Sequence, residues 1–354
     1  MVGLVDLVQT LTTPHAIDRY LELIRPSLTV RDLRAEIVRV RHDANGSVTL
    51  RLRPTRRWAG HLAGQYVQIA VVIDGVKHTR CYSPTTVEGQ VRELELTIRA
   101  HPHGLVSRYL WREARPGMVL DLTPAAGTFV LPDPRPERIV LISGGSGITP
   151  VLSMLRTLAA EDYPGEVLFL HYARSAEAVP HRAELAGLSR EHPRLRVEFR
   201  YTGAQSGASR HFDHDTLADL APWFRDARVY VCGPERLMAA VRAVYAAEGL
   251  ESSVHTEEFT PPTTAVDPAD VTGATTFSAS GVRSENTGAS LLEQAEAAGL
   301  TPEYGCRMGI CLSCTAIRRS GCTRNRRTGE LGSDPDQPIQ LCINDAVGDV
   351  DIAI

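Results

Sequence analysis

Four cysteines are the residues in this sequence best suited to redox chemistry. Cys306, Cys311 and Cys314 stand at C-x4-C-x2-C, and Cys342 follows after 27 intervening residues. Thiolates at that spacing hold a two-iron, two-sulfide cluster, three of them on one tight loop and the fourth on a distant element. Gly305 and Gly309 let the loop backbone approach the sulfides and take dihedrals closed to other residues. A structural zinc site is the competing chemistry. Zinc ligands more often pair two C-x2-C units or include histidine, and here there is no second C-x2-C unit and no nearby His. Cys322 is the rival for the fourth position. It falls in the Arg-rich stretch 318–327, expected to be a loop, whereas Cys342 lies in the strand-like run 339–343. A cluster carries single electrons and makes no bonds alone, so the rest of the chain should supply or accept them.

Four other stretches could bind a redox cofactor. Arg80-Cys81-Tyr82-Ser83 ends a strand-like run before Pro84, and Cys81 is given no chemistry. Gly104-Leu105-Val106-Ser107 opens a helical stretch, 105–113, whose free N–H groups suit a pyrophosphate. Gly144-Gly145-Ser146-Gly147-Ile148-Thr149-Pro150 joins a buried strand, 138–143, to a helix, 151–160. Cys232-Gly233-Pro234 joins the strand 228–231 to the helix 236–248. The Gly-rich turn departs from G-x-G-x-x-G. Alone, each stretch could be an ordinary turn or helix cap; their order along one chain is what carries weight.

These stretches must be positioned by several domains. A chain of 354 residues, 43% hydrophobic and 23% charged, suits two or three globular domains. Net charge of −4 excludes a generally basic, nucleic-acid-coating protein. Seven cysteines, four in a cluster pattern, point to a reducing compartment, and a cytoplasmic location is expected. No apolar run approaches the roughly 18–20 residues of a membrane span, and residues 1–11 lack the basic lead of a signal peptide. Residues 1–35 read as a helical extension. Short alternating runs over 36–133 predict a small antiparallel barrel. Over 134–258, strands alternating with helices predict a parallel sheet with ligand at the carboxyl ends of its strands. Residues 259–270 form a proline-rich linker. In 271–354 a helix opens on Ser290-x-x-Glu293, a capping box, and closes at Gly299. The fold class is therefore multi-domain, α+β and α/β.

Together, Arg80-Cys81-Tyr82-Ser83, Gly104-x-x-Ser107, the turn 144–150, Cys232-Gly233-Pro234 and the four cluster cysteines resemble the ferredoxin–NADP reductase superfamily with a C-terminal plant-type ferredoxin domain. The resemblance implies a flavin-binding β-barrel, a parallel-sheet nucleotide-binding domain and a β-grasp-like [2Fe–2S] domain. It implies that Arg80 pairs with a flavin phosphate, Tyr82 lies against the isoalloxazine, and Ser83 bonds near flavin N5. Gly104, Leu105, Val106 and Ser107 would bind the flavin pyrophosphate, and FAD is favoured over FMN because they lead a helix. Gly145, Gly147, Thr149 and Pro150 would hold the nicotinamide nucleotide, with Cys232 beside its ring and Gly233 and Pro234 shaping the pocket. Ser83 and Cys232 are the implied catalytic pair, and Phe259 would lie close to the flavin. Arg174 and Arg182 could pair a 2′-phosphate, which favours NADPH over NADH.

A nicotinamide gives two electrons at once and a cluster takes one, so a flavin between them makes one chain a converter. The implied function is a monomeric reductase for a separate oxygenase, hydroxylase or desaturase, membrane-bound ones included. The arginines of 318–327 could form a docking surface for an acidic partner. One alternative is an electron-transfer subunit of a larger dehydrogenase complex, such as dihydroorotate dehydrogenase; those carry only a short cysteine-rich tail. The other is a stand-alone flavin or ferric reductase.

Overall fold

The computed structural model describes residues 29, 32–43, 45–102, 104–203, 211–259, 271–309 and 312–354. The expected N-terminal helices, most of the linker and Cys311 lie outside the described residues. Contacts divide the chain into two units, Met1–Glu258 and Phe259–Ile354.

The first unit begins with a curled antiparallel sheet. Its strands are β1 (Arg34–His42), β2 (Ser47–Pro54), β3 (Val67–Ile73), β4 (Val76–Tyr82), β5 (Leu94–Arg99) and β6 (Val119–Leu122), with helix α1 (Leu105–Glu113) between the last two. Strand order is β4-β3-β6-β1-β2-β5. Alternation sends Ile37, Leu50, Leu52, Ile69, Leu94 and Leu96 into one core, all without exposure. Asp74 and Gly75, both at positive φ, make the tight β3–β4 turn. Beyond β4 the chain bridges β5 at Pro84 and Leu96, and the Thr85 N–H donates to Glu95 O at 2.9 Å. That contact joins the two outer edges. β1 starts at Arg34, so the sheet opens two residues earlier than the sequence reading placed it.

The next segment is β7 (Arg138–Gly144), α2 (Ile148–Ala160), β8 (Glu166–Ala173), α3 (Arg182–Glu191), β9 (Leu195–Tyr201), α4 (His214–Leu220), β10 (Arg228–Cys232), α5 (Glu235–Ala247) and β11 (Val254–Glu257). The strands lie parallel in the order β11-β10-β7-β8-β9. Chain direction around the sheet therefore reverses between β7 and β10, which opens a crevice at their carboxyl ends. Ile139, Val140, Leu141 and Ile142 are wholly buried, as expected of a strand covered on both faces. α2 starts at Ile148, three residues earlier than expected. Pro150 fits its first turn because the N–H it lacks would have no partner there.

The second unit holds β12 (Ala274–Phe277), β13 (Val282–Glu285), α6 (Leu291–Ala297), β14 (Thr315–Asn325), β15 (Leu331–Gly332), β16 (Gln337–Gln340) and β17 (Asn344–Ile352). They form a mixed sheet, β13-β12-β17-β14-β15, with β16 on β14 and with β12 and β17 parallel. Both halves of the capping box at Ser290 and Glu293 are present. Leu291, Leu292 and Ala295 pack with Phe277, Val350 and Ile352 into a core of their own.

The stretch 318–327 is a correction to the sequence reading: most of it is strand β14, not a loop. Arg318 is buried, and donates to Thr323 Oγ1 and Gly332 O at 2.6 Å each. Arg324 pairs with the buried Asp345 at 2.9 Å. Neither belongs to a solvated docking face.

Candidate functional site

Where the two sheet edges meet, the end of β4 presents Arg80, Tyr82 and Ser83. Arg80 donates to Thr79 O at 2.7 Å, and Tyr82 packs against the barrel core. Ser83 is 3% exposed, and its Oγ is buried without a hydrogen-bond partner. Native chains rarely leave such a group unsatisfied, so a ligand atom is the natural acceptor or donor here. α1 packs on β4 and β5. Gly104 caps it without a side-chain hydrogen bond, and its first turn carries no acidic residue. Ser107 Oγ turns back onto Gly104 O at 3.3 Å, and a Cβ on Gly104 would come 2.4 Å from it. Val106 faces the core and Leu105 faces out, so these two can offer a ligand only backbone N–H groups. An uncapped helix start with no acidic residue in its first turn suits the phosphates of a flavin nucleotide.

The second half of the site is the crevice between β7 and β10. Gly145 takes φ of +56°, and a Cβ on Gly147 would sit 2.2 Å from Cys232 O. The Gly-rich turn is thus pressed against the end of β10 in a way only glycine allows. Thr149 Oγ1 donates to Ser146 O at 3.3 Å in the first turn of α2. Gly233 lies against Gly144, where a Cβ would meet the Gly144 nitrogen at 3.0 Å. Cys232 is wholly buried, and burial, followed by the charges of Glu257 and Glu258, pushes its thiol well up. It is therefore a neutral S–H at physiological pH.

Sequence reasoning missed Glu257. It pairs with Cys232 across β10 and β11; its Oε2 is buried without a partner, and burial raises its carboxyl to about 8. No periodicity marks it. The only signal was a pair of glutamates at a strand end. A raised carboxyl holds its proton more tightly when folded, so this contribution to stability is complete below about 4.5 and is lost as pH rises through about 8. Glu257→Gln should therefore flatten the decline in urea midpoint between those pH values, and an unchanged decline would contradict the burial argument.

A cavity of about 510 Å³ continues from this crevice, lined by Gly144, Gly145, Tyr172, Arg174, Pro234 and Arg236, with Arg99 entering from the barrel. The hydroxyl of Tyr172 is buried and unpartnered. Arg182 does not join Arg174: it lines a separate cavity with Arg41 and Asp43. A short helical turn (Ala176–Ala178) and His181 at φ of +56° carry the chain away between them. Arg99 and Arg236, rather than Arg182, line the cavity that holds Arg174.

In the second unit, Cys306, Cys314 and Cys342 are each at most 6% exposed. Cys342 shares a hydrogen bond with Cys314, and this, with burial and nearby Cys306, raises its thiol; the Gly309 N–H partly opposes the shift. The Leu341 N–H donates to Cys314 O at 3.0 Å, tying the cysteine loop to the turn that carries Cys342. Gly309 has φ of +73° and presses on Ile343. Arg307 lies 3.9 Å over the Tyr304 ring and donates to Glu296 of α6 at 3.0 Å. Cys342 lies on a 3-10 turn, Leu341–Ile343, rather than in a strand, and Cys322 lies in strand β14 opposite Val347. Among the described residues no three His, Cys, Asp or Glu form a donor set for a metal ion.

Comparison with known proteins assigns the first unit. Residues 35–131 match the oxidoreductase FAD-binding domain family, and residues 141–243 match the oxidoreductase NAD-binding domain family. An NADPH oxidoreductase of Mycobacterium tuberculosis is 36% identical over 344 residues, which cover 96% of this chain and 89% of that protein. The chain belongs to the ferredoxin reductase superfamily. It is an oxidoreductase of that superfamily, with flavin- and NAD(P)-binding domains. A flavohemoprotein of Pseudomonas putida is 35% identical over 209 residues, 58% of this chain, which spans about half the length of that relative (52%). An Amycolatopsis cytochrome P450 reductase matches 65% of this chain and 70% of its own at TM-score 0.58 and 30% identity. Phthalate dioxygenase reductase, described as modular for electron transfer from pyridine nucleotides to [2Fe–2S], shares the fold over 92% of this superfamily member and 98% of its own chain, at TM-score 0.64 and 22% identity. No helix among the described residues is long and apolar enough to cross a membrane.

Proposed function

We propose that this oxidoreductase takes electrons from NADPH and delivers them, by way of FAD and a [2Fe–2S] cluster, to a separate oxygenase, hydroxylase or desaturase. What carries this reading is the C-x4-C-x2-C spacing of Cys306, Cys311 and Cys314 followed by Cys342, with Cys342 hydrogen-bonded to Cys314, in a chain already equipped for FAD and NAD(P)H. Cys311, three residues before Cys314 in the sequence, would supply the fourth thiolate. Similarity of fold to phthalate dioxygenase reductase along nearly the whole chain supports it. So does an independent core around α6, which a short cysteine-rich tail would lack.

The residues of the first unit divide the work. Arg80 and the start of α1 hold the phosphates of FAD, and Tyr82 covers its ring. Bound FAD supplies the exchange between a two-electron hydride and single electrons. Ser83 Oγ donates to the flavin where hydride arrives. The turn 144–150, Gly233 and Pro234 orient the nicotinamide, and Cys232 and Glu257, both protonated, border it. Arg174, with Arg99 and Arg236, favours NADPH by pairing its additional phosphate. Phe259 is grouped with the second unit, and its place beside the flavin rests on the family resemblance. Cys306, Cys311, Cys314 and Cys342 would hold the cluster, whose chemistry is one-electron storage.

Full-length protein purified without oxygen should release FAD in acid and contain two irons and two labile sulfides per flavin. Flavin without iron, after anaerobic reconstitution, would overturn the cluster assignment.

A further inference from the structure

α2 carries the nicotinamide-binding turn at its start, and the side chains further along it grip the segment that follows Ser83. Ser153 Oγ donates to Thr86 O at 2.7 Å. The Glu88 N–H donates to Thr157 Oγ1 at 3.0 Å. Between them Arg156 donates to Thr85 O at 2.5 Å and to Glu95 Oε1 at 2.8 Å. Its other nitrogens form a two-pronged pair with Glu184 of α3 at 2.6 and 2.8 Å. His181 lies 3.3 Å from Glu184 and 2.8 Å from Thr97 of β5. Arg156 and Glu95 are each 14% exposed at the side chain.

We infer that Arg156, with Glu95 and Glu184, is a positioning residue for hydride transfer. It locks the nicotinamide-binding turn to the flavin-contacting segment at a fixed separation. The inference rests on the roles assigned above to Ser83 and the turn 144–150. Arg156 lies seven residues beyond Thr149, about 10 Å along the helix, while Thr85 is two residues from Ser83, so the ion pair touches neither reactant. A single charged residue inside an otherwise buried helix is costly unless its position is needed, and here every arm of the guanidinium is used. Burial opposes ionisation of both glutamates; Arg156 outweighs it at Glu95, and His181 and Arg156 hold the Glu184 carboxyl at about 2. The triad is therefore fully charged at physiological pH, and its geometry is fixed by both its charges and its hydrogen bonds.

The test uses full-length, FAD-loaded Glu95→Gln and Arg156→Lys in rapid mixing with NADPH. The expected result is flavin reduction slowed roughly tenfold at saturating NADPH, with a larger deuterium isotope effect from the transferred position and an NADP⁺ dissociation constant changed less than about threefold. Calorimetry of the same chains against the parent should show the two sheets of the first unit unfolding at more widely separated temperatures. If either variant fails to fold, Thr97→Val removes the His181 contact without stranding a charge, and should slow reduction in the same direction. Unchanged reduction rate and isotope effect, even with a lowered melting temperature, would make the triad a structural brace and overturn the inference. Should Ser83→Ala also leave flavin reduction untouched, the underlying assignment of the flavin face fails instead.

Discussion

Cys311→Ser should abolish NADPH-driven cytochrome c reduction, by a factor of about 100 or more, while leaving ferricyanide reduction within about twofold of the parent chain. Ferricyanide is small enough to collect electrons at the flavin, whereas a protein acceptor needs the one-electron exit. The flavin- and nucleotide-binding sheets of the first unit pack around cores of their own. Cys306, Cys314 and Cys342 remain buried around the loop, so three thiolates persist and any loss is assigned to the cluster rather than to the fold. Cys322→Ser, on strand β14 opposite Val347, should leave both activities as they are. If Cys322 proved indispensable and Cys342 dispensable, the ligand assignment would fall.

Ser83→Ala should move rate and stability in opposite directions. Its hydroxyl is buried and unpartnered within the chain, so removing it spares the flavin-free protein a desolvated polar group and should stabilise it by about 1 kcal/mol. With FAD bound, the proposed role makes the same hydroxyl a donor at the point of hydride arrival. Loss of one such donor costs about 100-fold or more in rate. A melting curve of the flavin-free chain and the rate of flavin reduction by NADPH, taken together, check it. A variant destabilised and slowed alike would mean that Ser83 is only a packing residue.

Motifs whose chemistry depends on close spacing were legible in the sequence. Arg80, Tyr82 and Ser83 had to emerge on one short strand end, and Gly144, Gly145 and Gly147 had to form one turn, whatever surrounded them. Ser290 and Glu293 make their capping box from four consecutive residues. Features created by tertiary neighbours were not. Arg174 and Arg182 are eight residues apart, yet a loop reversal sends them to different cavities. Arg318 reads as one of five surface arginines, but strand alternation and the carbonyls of Gly332 and Asp334 draw it inside. Glu257 gains its high carboxyl value only from the burial that the sheet imposes. Arg156 was visible as a charge in an apolar helix, but its partners come from residues 61 and 28 positions away.

Anaerobic titration of the full-length protein with NADPH, followed by absorbance, tests the central claim most directly. Three electrons per chain, about 1.5 equivalents of NADPH, should bleach flavin and cluster bands together. Complete reduction by about one equivalent, with no absorbance beyond that of the flavin, would contradict it.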